Sequence, residues 1–185
     1  MQLRNTSAGY GLIAQLLHWA VAGLIAYQYI LADRAEQATL FQKLGILATH
    51  KSIGITILAL SAVRLIWKLT SGANPGPLDH EPEFRSWLAR LSHRALYALT
   101  IAIPLSGWIM SSAANTPVSY FGRMTLPNLV APHPGWVDPL TAIHGVLFAV
   151  LASLVAVHVL AAVYHRLVLK DNVLRRMIPF MRAPP

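Results

Sequence analysis

The chain has 185 residues, of which 55% are hydrophobic and only 12% charged. Soluble domains carry about 25% charged residues, so the composition points to a membrane protein. The net charge is +8, but the basic residues flank apolar segments, which argues for membrane orientation rather than nucleic acid binding.

The chain contains no cysteine. That excludes disulfides, thiolate-held iron–sulfur clusters and covalent c-type haem attachment. Any haem must be held non-covalently.

Four apolar segments predict an all-α membrane protein, a single four-transmembrane-helix bundle over residues 1–185. No formal charge falls between Arg4 and Asp33, so a first helix at about 10–32 crosses a hydrocarbon layer about 30 Å thick. It is too long for a signal-peptide core and is expected to be retained. A second helix at about 43–68 carries His50 and Lys51, with Arg64 and Lys68 able to snorkel at its end. Before the third span, Phe84, Trp87, Leu88 and Leu91 fall on one helix face. They predict a short interfacial helix between the second and third spans; the alternative is a cytoplasmic extension of the third.

The third helix is expected at about 92–112. The following loop, 115–138, contains Pro117, Pro127, Pro132 and Pro134 and reads as irregular, placed to fold over the outer end of the bundle. The fourth helix is expected at about 139–166, and residues 139–165 contain no Asp, Glu, Lys or Arg.

Orientation follows from Lys and Arg. Arg4, Arg64, Lys68, Arg85, Arg90, Arg94, Arg166, Lys170, Arg175, Arg176 and Arg182 lie on one side. Arg34, Lys43, Lys51 and Arg123 lie on the other. The imbalance puts both termini in the cytoplasm.

His144 and His158 are fourteen residues apart, about four helical turns and roughly 21 Å of rise. They share a face near opposite sides of the bilayer. His18 and His158 each lie about eight residues, roughly 12 Å, from the cytoplasmic end of their helices. His50 and His144 lie near the outer ends of theirs. The histidines therefore form two depth-matched pairs, His18 with His158 and His50 with His144.

Ionisable residues inside a membrane default to a functional reading. Two imidazoles from different helices suit six-coordinate haem iron, which transfers electrons and leaves no site for oxygen. One alternative is interhelical hydrogen bonding by each histidine. Another is a histidine metal-ion transporter, although the four spans carry no Asp or Glu. Gly54 and Gly145 flank ligand positions, where small residues admit a flat ring or simply close helix packing. Arg64, fourteen residues after His50, could pair with an inner haem propionate or snorkel to the interface. Lys51 could serve the outer haem in the same way.

Several motifs resemble the bacterial cytochrome b561 family. They are Tyr10-Gly11, Leu17-His18-Trp19, His50-Lys51-Ser52-Ile53-Gly54, Val63-Arg64 with Trp67, and Pro75-Gly76-Pro77-Leu78. His93 with Tyr97, Phe121-Gly122, His144, His158 and the tail Lys170-Asp171-Asn172-Val173-Leu174-Arg175-Arg176-Met177 complete the set. The resemblance covers nearly the whole chain.

It implies a bacterial inner-membrane protein with two haem b groups on His18, His50, His144 and His158, exchanging electrons with ubiquinone. One branch of the family takes the electron from superoxide at the periplasmic face. The loop at 74–87 is acidic-rich here and differs from the lysine-rich loop of that branch. The alternative within the family is a haem b anchor passing electrons between quinone and a separate redox protein.

His165 matches a family histidine linked to quinone and lies seven residues beyond His158, about 10 Å closer to the cytoplasm. A helix-end histidine favoured by the dipole is the competing reading. His93 matches a family position without an assigned role. His80 and His133 read as solvent-facing loop residues.

Overall fold

The computed structural model describes residues 2–7, 9–72, 75–76 and 82–179. His80, Asp79, Glu81, Arg182 and the Pro77-Leu78 half of the loop motif lie outside the described residues. Four long helices account for most of the rest: α1 Leu12–Gln37, α2 Leu40–Thr70, α3 Glu83–Ala113 and α4 Val137–Tyr164. All four are long and apolar enough to cross a membrane.

Only Ala38 and Thr39 separate α1 from α2. The turn works because Thr39 occupies the N-cap and its backbone N–H donates to Gln42 Oε1 at 3.1 Å, one arm of a capping box. So short a link forces the two helices to run antiparallel. Backbone packing then joins α1 to α2, α2 to α3 and α3 to α4. Val21, Leu31, Ile53 and Ile57 form a small apolar core between α1 and α2. Long apolar side chains such as Leu40, Phe41, Leu160 and Leu167 face outward, as lipid-facing surface must.

α2 and α3 run past their expected limits at both ends, α1 past its expected end and α4 before its expected start. The expected interfacial helix is not a separate element: residues 83–113 form one continuous α3. No Gly or Pro interrupts the chain between Glu83 and Ile103, so nothing ends the helix before the span begins. The apolar stripe of Phe84, Trp87, Leu88 and Leu91 is exposed on this extension.

The loop after α3 is more ordered than its prolines suggest. Ser119–Tyr120 (β1) pairs antiparallel with Met124–Thr125 (β2). Phe121, Gly122 and Arg123 link them; Phe121 and Gly122 both have positive φ, 49° and 71°, at the centre of a turn closed by the Arg123 N–H on the Tyr120 carbonyl at 3.0 Å. The loop is tied to the bundle end that carries His50 and His144. Ser52 Oγ donates to Ser119 O and accepts from the Phe121 N–H. Trp108 Nε1 donates to Pro127 O, and His133 N–H to Ala113 O. A one-turn 3-10 helix, Pro134–Trp136, leads into α4.

At the opposite end the tail folds back across α1. Gln15 Nε2 donates to Arg176 O at 3.1 Å, and Trp19 Nε1 donates to Met177 O at 2.8 Å. Both anchors lie within one turn of His18.

Candidate functional site

The two histidine pairs expected from depth are the pairs that meet. The His18 and His158 ring centroids are 6.3 Å apart, and those of His50 and His144 are 6.4 Å apart. These contacts join α4 to α1 and α2, neither of which packs closely on α4 through its backbone. The bundle therefore leaves room between helices where the imidazoles face each other.

The spacing carries chemical information. An imidazole nitrogen binds a first-row metal at about 2 Å, and the ring centroid lies about 1 Å behind that nitrogen, so two imidazoles on one iron have centroids about 6 Å apart. Both observed pairs fit. Among the described residues, no group of three or more His, Asp or Glu converges on a bare metal ion. Haem needs only two protein donors, because the porphyrin supplies four.

The His50–His144 layer is held in detail by its neighbours. Ser106 Oγ on α3 donates to the Ile103 carbonyl at 2.8 Å. It therefore accepts from His144 Nδ1, 2.9 Å away. This leaves the His144 Nε2 lone pair for a metal, the usual arrangement of a ligating histidine with its second nitrogen held by the protein. Gly107 makes room for the ring: a Cβ there would lie 3.1 Å from His144 Cε1. On the other side, Gln28 Nε2 donates to the His50 carbonyl at 2.9 Å. His50 Nδ1 is buried without a hydrogen-bond partner.

The His18–His158 layer differs. Arg64 Nη2 lies 2.9 Å from His18 Nδ1. A guanidinium only donates, so Nδ1 accepts. A metal on Nε2 asks the opposite of Nδ1, so ligation would require Arg64 to turn to another acceptor. Arg64 and Lys68 both sit over the Tyr97 ring, 4.8 and 4.7 Å from its centroid. His93 stands beside His158 at 5.4 Å between ring centroids, closer than two ligands of one iron would stand.

The remaining expected residues are placed as follows. Lys51 Nζ donates to Thr116 O and Oγ1 at 3.0 and 3.2 Å. A Cβ on Gly54 would lie 3.5 Å from Gln28 Nε2, and one on Gly145 would meet open space. His133 stacks on Trp136 in the loop. His165 is hydrogen-bonded to Asp171 just beyond α4.

Sequence reasoning missed Ser106, Gly107 and Gln28. Their signal was faint, a small polar pair after Pro104 and one amide within an apolar span.

The two half-buried imidazole pairs, at 6.3 and 6.4 Å between ring centroids, are spaced for iron. The family profile described as prokaryotic cytochrome b561 matches residues 9–180. The chain belongs to this family.

It is 32% identical over 182 residues to cytochrome b561 homolog 2 of Escherichia coli (strain K12), spanning 96% of this chain and 95% of that protein. It is 29% identical over 167 residues to a Yersinia pestis protein named "Probable superoxide oxidase CybB", spanning 90% of this chain and 94% of that one. As a b561-family cytochrome the chain is a multi-pass membrane protein of haem-based electron transport.

Proposed function

We propose that this cytochrome carries electrons across the bacterial inner membrane from a small periplasmic reductant to ubiquinone. Two haem b groups would be held by His50 with His144 near the periplasm and by His18 with His158 near the cytoplasm. The observation that carries this reading is the pair of imidazole spacings, 6.3 and 6.4 Å, on the fourteen-residue repeat of α4. Bound haem would supply one-electron chemistry at six-coordinate iron with no open position for oxygen.

The chain's own residues hold and tune these groups. Ser106 fixes the His144 tautomer. Arg64, released from His18, would find its acceptor in an inner haem propionate, with Tyr97 as its platform. Lys51 would have to release Thr116 to do the same outside. Both termini lie in the cytoplasm on the Lys and Arg distribution.

Superoxide is one donor for this site, supported by the name of the Yersinia relative. The outer cations Arg34, Lys43, Lys51 and Arg123 exceed Asp33, Glu36 and Asp138 by one, a weak attraction for an anion. Exposed Phe121 and Met124 at the hairpin favour a second reading, an anchor that docks a soluble redox protein.

Rapid mixing separates the two. The haem should be reduced by superoxide faster than background and reoxidised by added ubiquinone. Background-rate reduction leaves the anchor reading. A haem-to-protein ratio near zero after expression with ample haem sinks both.

A further inference from the structure

Four residues of α3 share one stripe. Trp87, Arg90, Arg94 and Tyr97 are spaced three, four and three residues apart, so they line a single side of the helix. The Tyr97 end of this stripe meets α2. Arg64 Cζ lies 4.8 Å and Lys68 Nζ 4.7 Å from the Tyr97 ring centroid. Arg94, about one turn from Tyr97, lies near enough to Lys68 for their charges to repel. Arg90 follows one turn farther out. Among the described residues none of these four cations is paired with a carboxylate. Arg64 is held at the His18 ring. Like charges gathered without a counter-charge repel one another, and an anion from outside the chain relieves that repulsion.

The outer part of the stripe indicates which anion. Trp87 stacks on Phe84 at 6.4 Å between ring centroids, and Phe84, Trp87, Leu88 and Leu91 are all exposed. Lys68 lies two residues before the end of α2, at the margin of its span. Cations at a span margin beside exposed aromatic and aliphatic side chains match a phospholipid. The phosphate meets the cations, the indole sits at the level of the headgroups, and acyl chains run along the apolar side. A free phosphate would use the cations and leave the apolar side chains in water.

We propose that Lys68, Arg90 and Arg94 hold the phosphate of an anionic phospholipid, with Trp87 beside its ester region and Leu88 and Leu91 against its acyl chains. The Tyr97 ring face positions the Lys68 ammonium. The site is distinct from the two histidine pairs and stands whatever the electron donor and acceptor are.

The test uses the haem-loaded cytochrome, delipidated in detergent and titrated with phosphatidylglycerol or with phosphatidylcholine of the same chains. Native mass spectrometry counts the bound lipid. The wild type should take up phosphatidylglycerol in preference to phosphatidylcholine. Lys68→Gln combined with Arg94→Gln should weaken phosphatidylglycerol binding about tenfold or more and leave phosphatidylcholine binding unchanged. Trp87→Ala should weaken both. Lys43→Gln combined with Arg123→Gln removes the same charge elsewhere and should bind as the wild type does. Equal binding of the two lipids by the wild type overturns the proposal. So does an equal loss in the two double variants, which would make the preference one of net charge. Displacement of the lipid by millimolar inorganic phosphate would assign the cations to a small anion and also overturn it. If the Lys68 and Arg94 double variant does not fold, Arg94→Gln alone, at an exposed position, decides the case in the same titration. Unchanged phosphatidylglycerol binding there refutes the site.

Discussion

Each of the four pairing histidines could be found because imidazole is rare and costly inside a bilayer, and its depth follows from helix rise alone. Their supports could not. Ser106 and Gly107 matter only because α3 lies against α4 at His144. A serine in a span otherwise bonds its own helix and carries no signal. Two predictions belong at this scale. His144→Ala should lower the haem content from two per chain to one, measured as a pyridine haemochrome against protein, and leave the inner haem's spectrum in place. Two retained haems would refute the pairing. Ser106→Ala removes the acceptor from His144 Nδ1. It should weaken outer haem binding about tenfold and raise that haem's midpoint potential, because a less basic imidazole stabilises ferric iron less. An unchanged redox titration and haem affinity would show the hydrogen bond to be incidental.

At the scale of elements, the four spans were legible from charge-free length, and their limits were not. α3 begins at Glu83 rather than near 92 because the stretch before the span has the same helical periodicity and no breaker stands between them. The hairpin at 119–125 was hidden for another reason. Its turn uses Phe121 at positive φ, where sequence rules expect Gly, Asn or Asp. The α3–α4 interface yields a third prediction. A Cβ at Gly107 would already lie 3.1 Å from His144 Cε1, so Gly107→Val should displace the His144 ring and cost the outer haem, while Gly107→Ala should weaken it less. Visible spectra of both purified variants would check this, and a fully loaded Gly107→Val protein would contradict the geometry.

For the whole molecule, the two ends of the bundle are closed differently. One end is capped by the hairpin loop tied to Ser52, Trp108 and Ala113. The other is strapped by the tail across Gln15 and Trp19. In the proposed orientation the strapped end faces the cytoplasm. The native chain has no cysteine, so single cysteines report topology cleanly. Asn128→Cys in right-side-out vesicles should react with an impermeant thiol reagent, and Ser7→Cys should react only after permeabilisation. The reverse pattern would invert the proposed direction of electron flow across the membrane.

By itself, the sequence determined that this protein is a four-span membrane bundle and that its histidines fall into two layers. Both follow from one-dimensional quantities, the length of apolar runs and the rise per residue. Only the tertiary structure decided what stands around those layers. The Ser106 bond, the Gly107 clearance, the Arg64 bridge to His18 and the return of Asp171 onto His165 each join groups whose meeting depends on helix rotation or on a local break in helical winding. Composition and spacing carry no record of either.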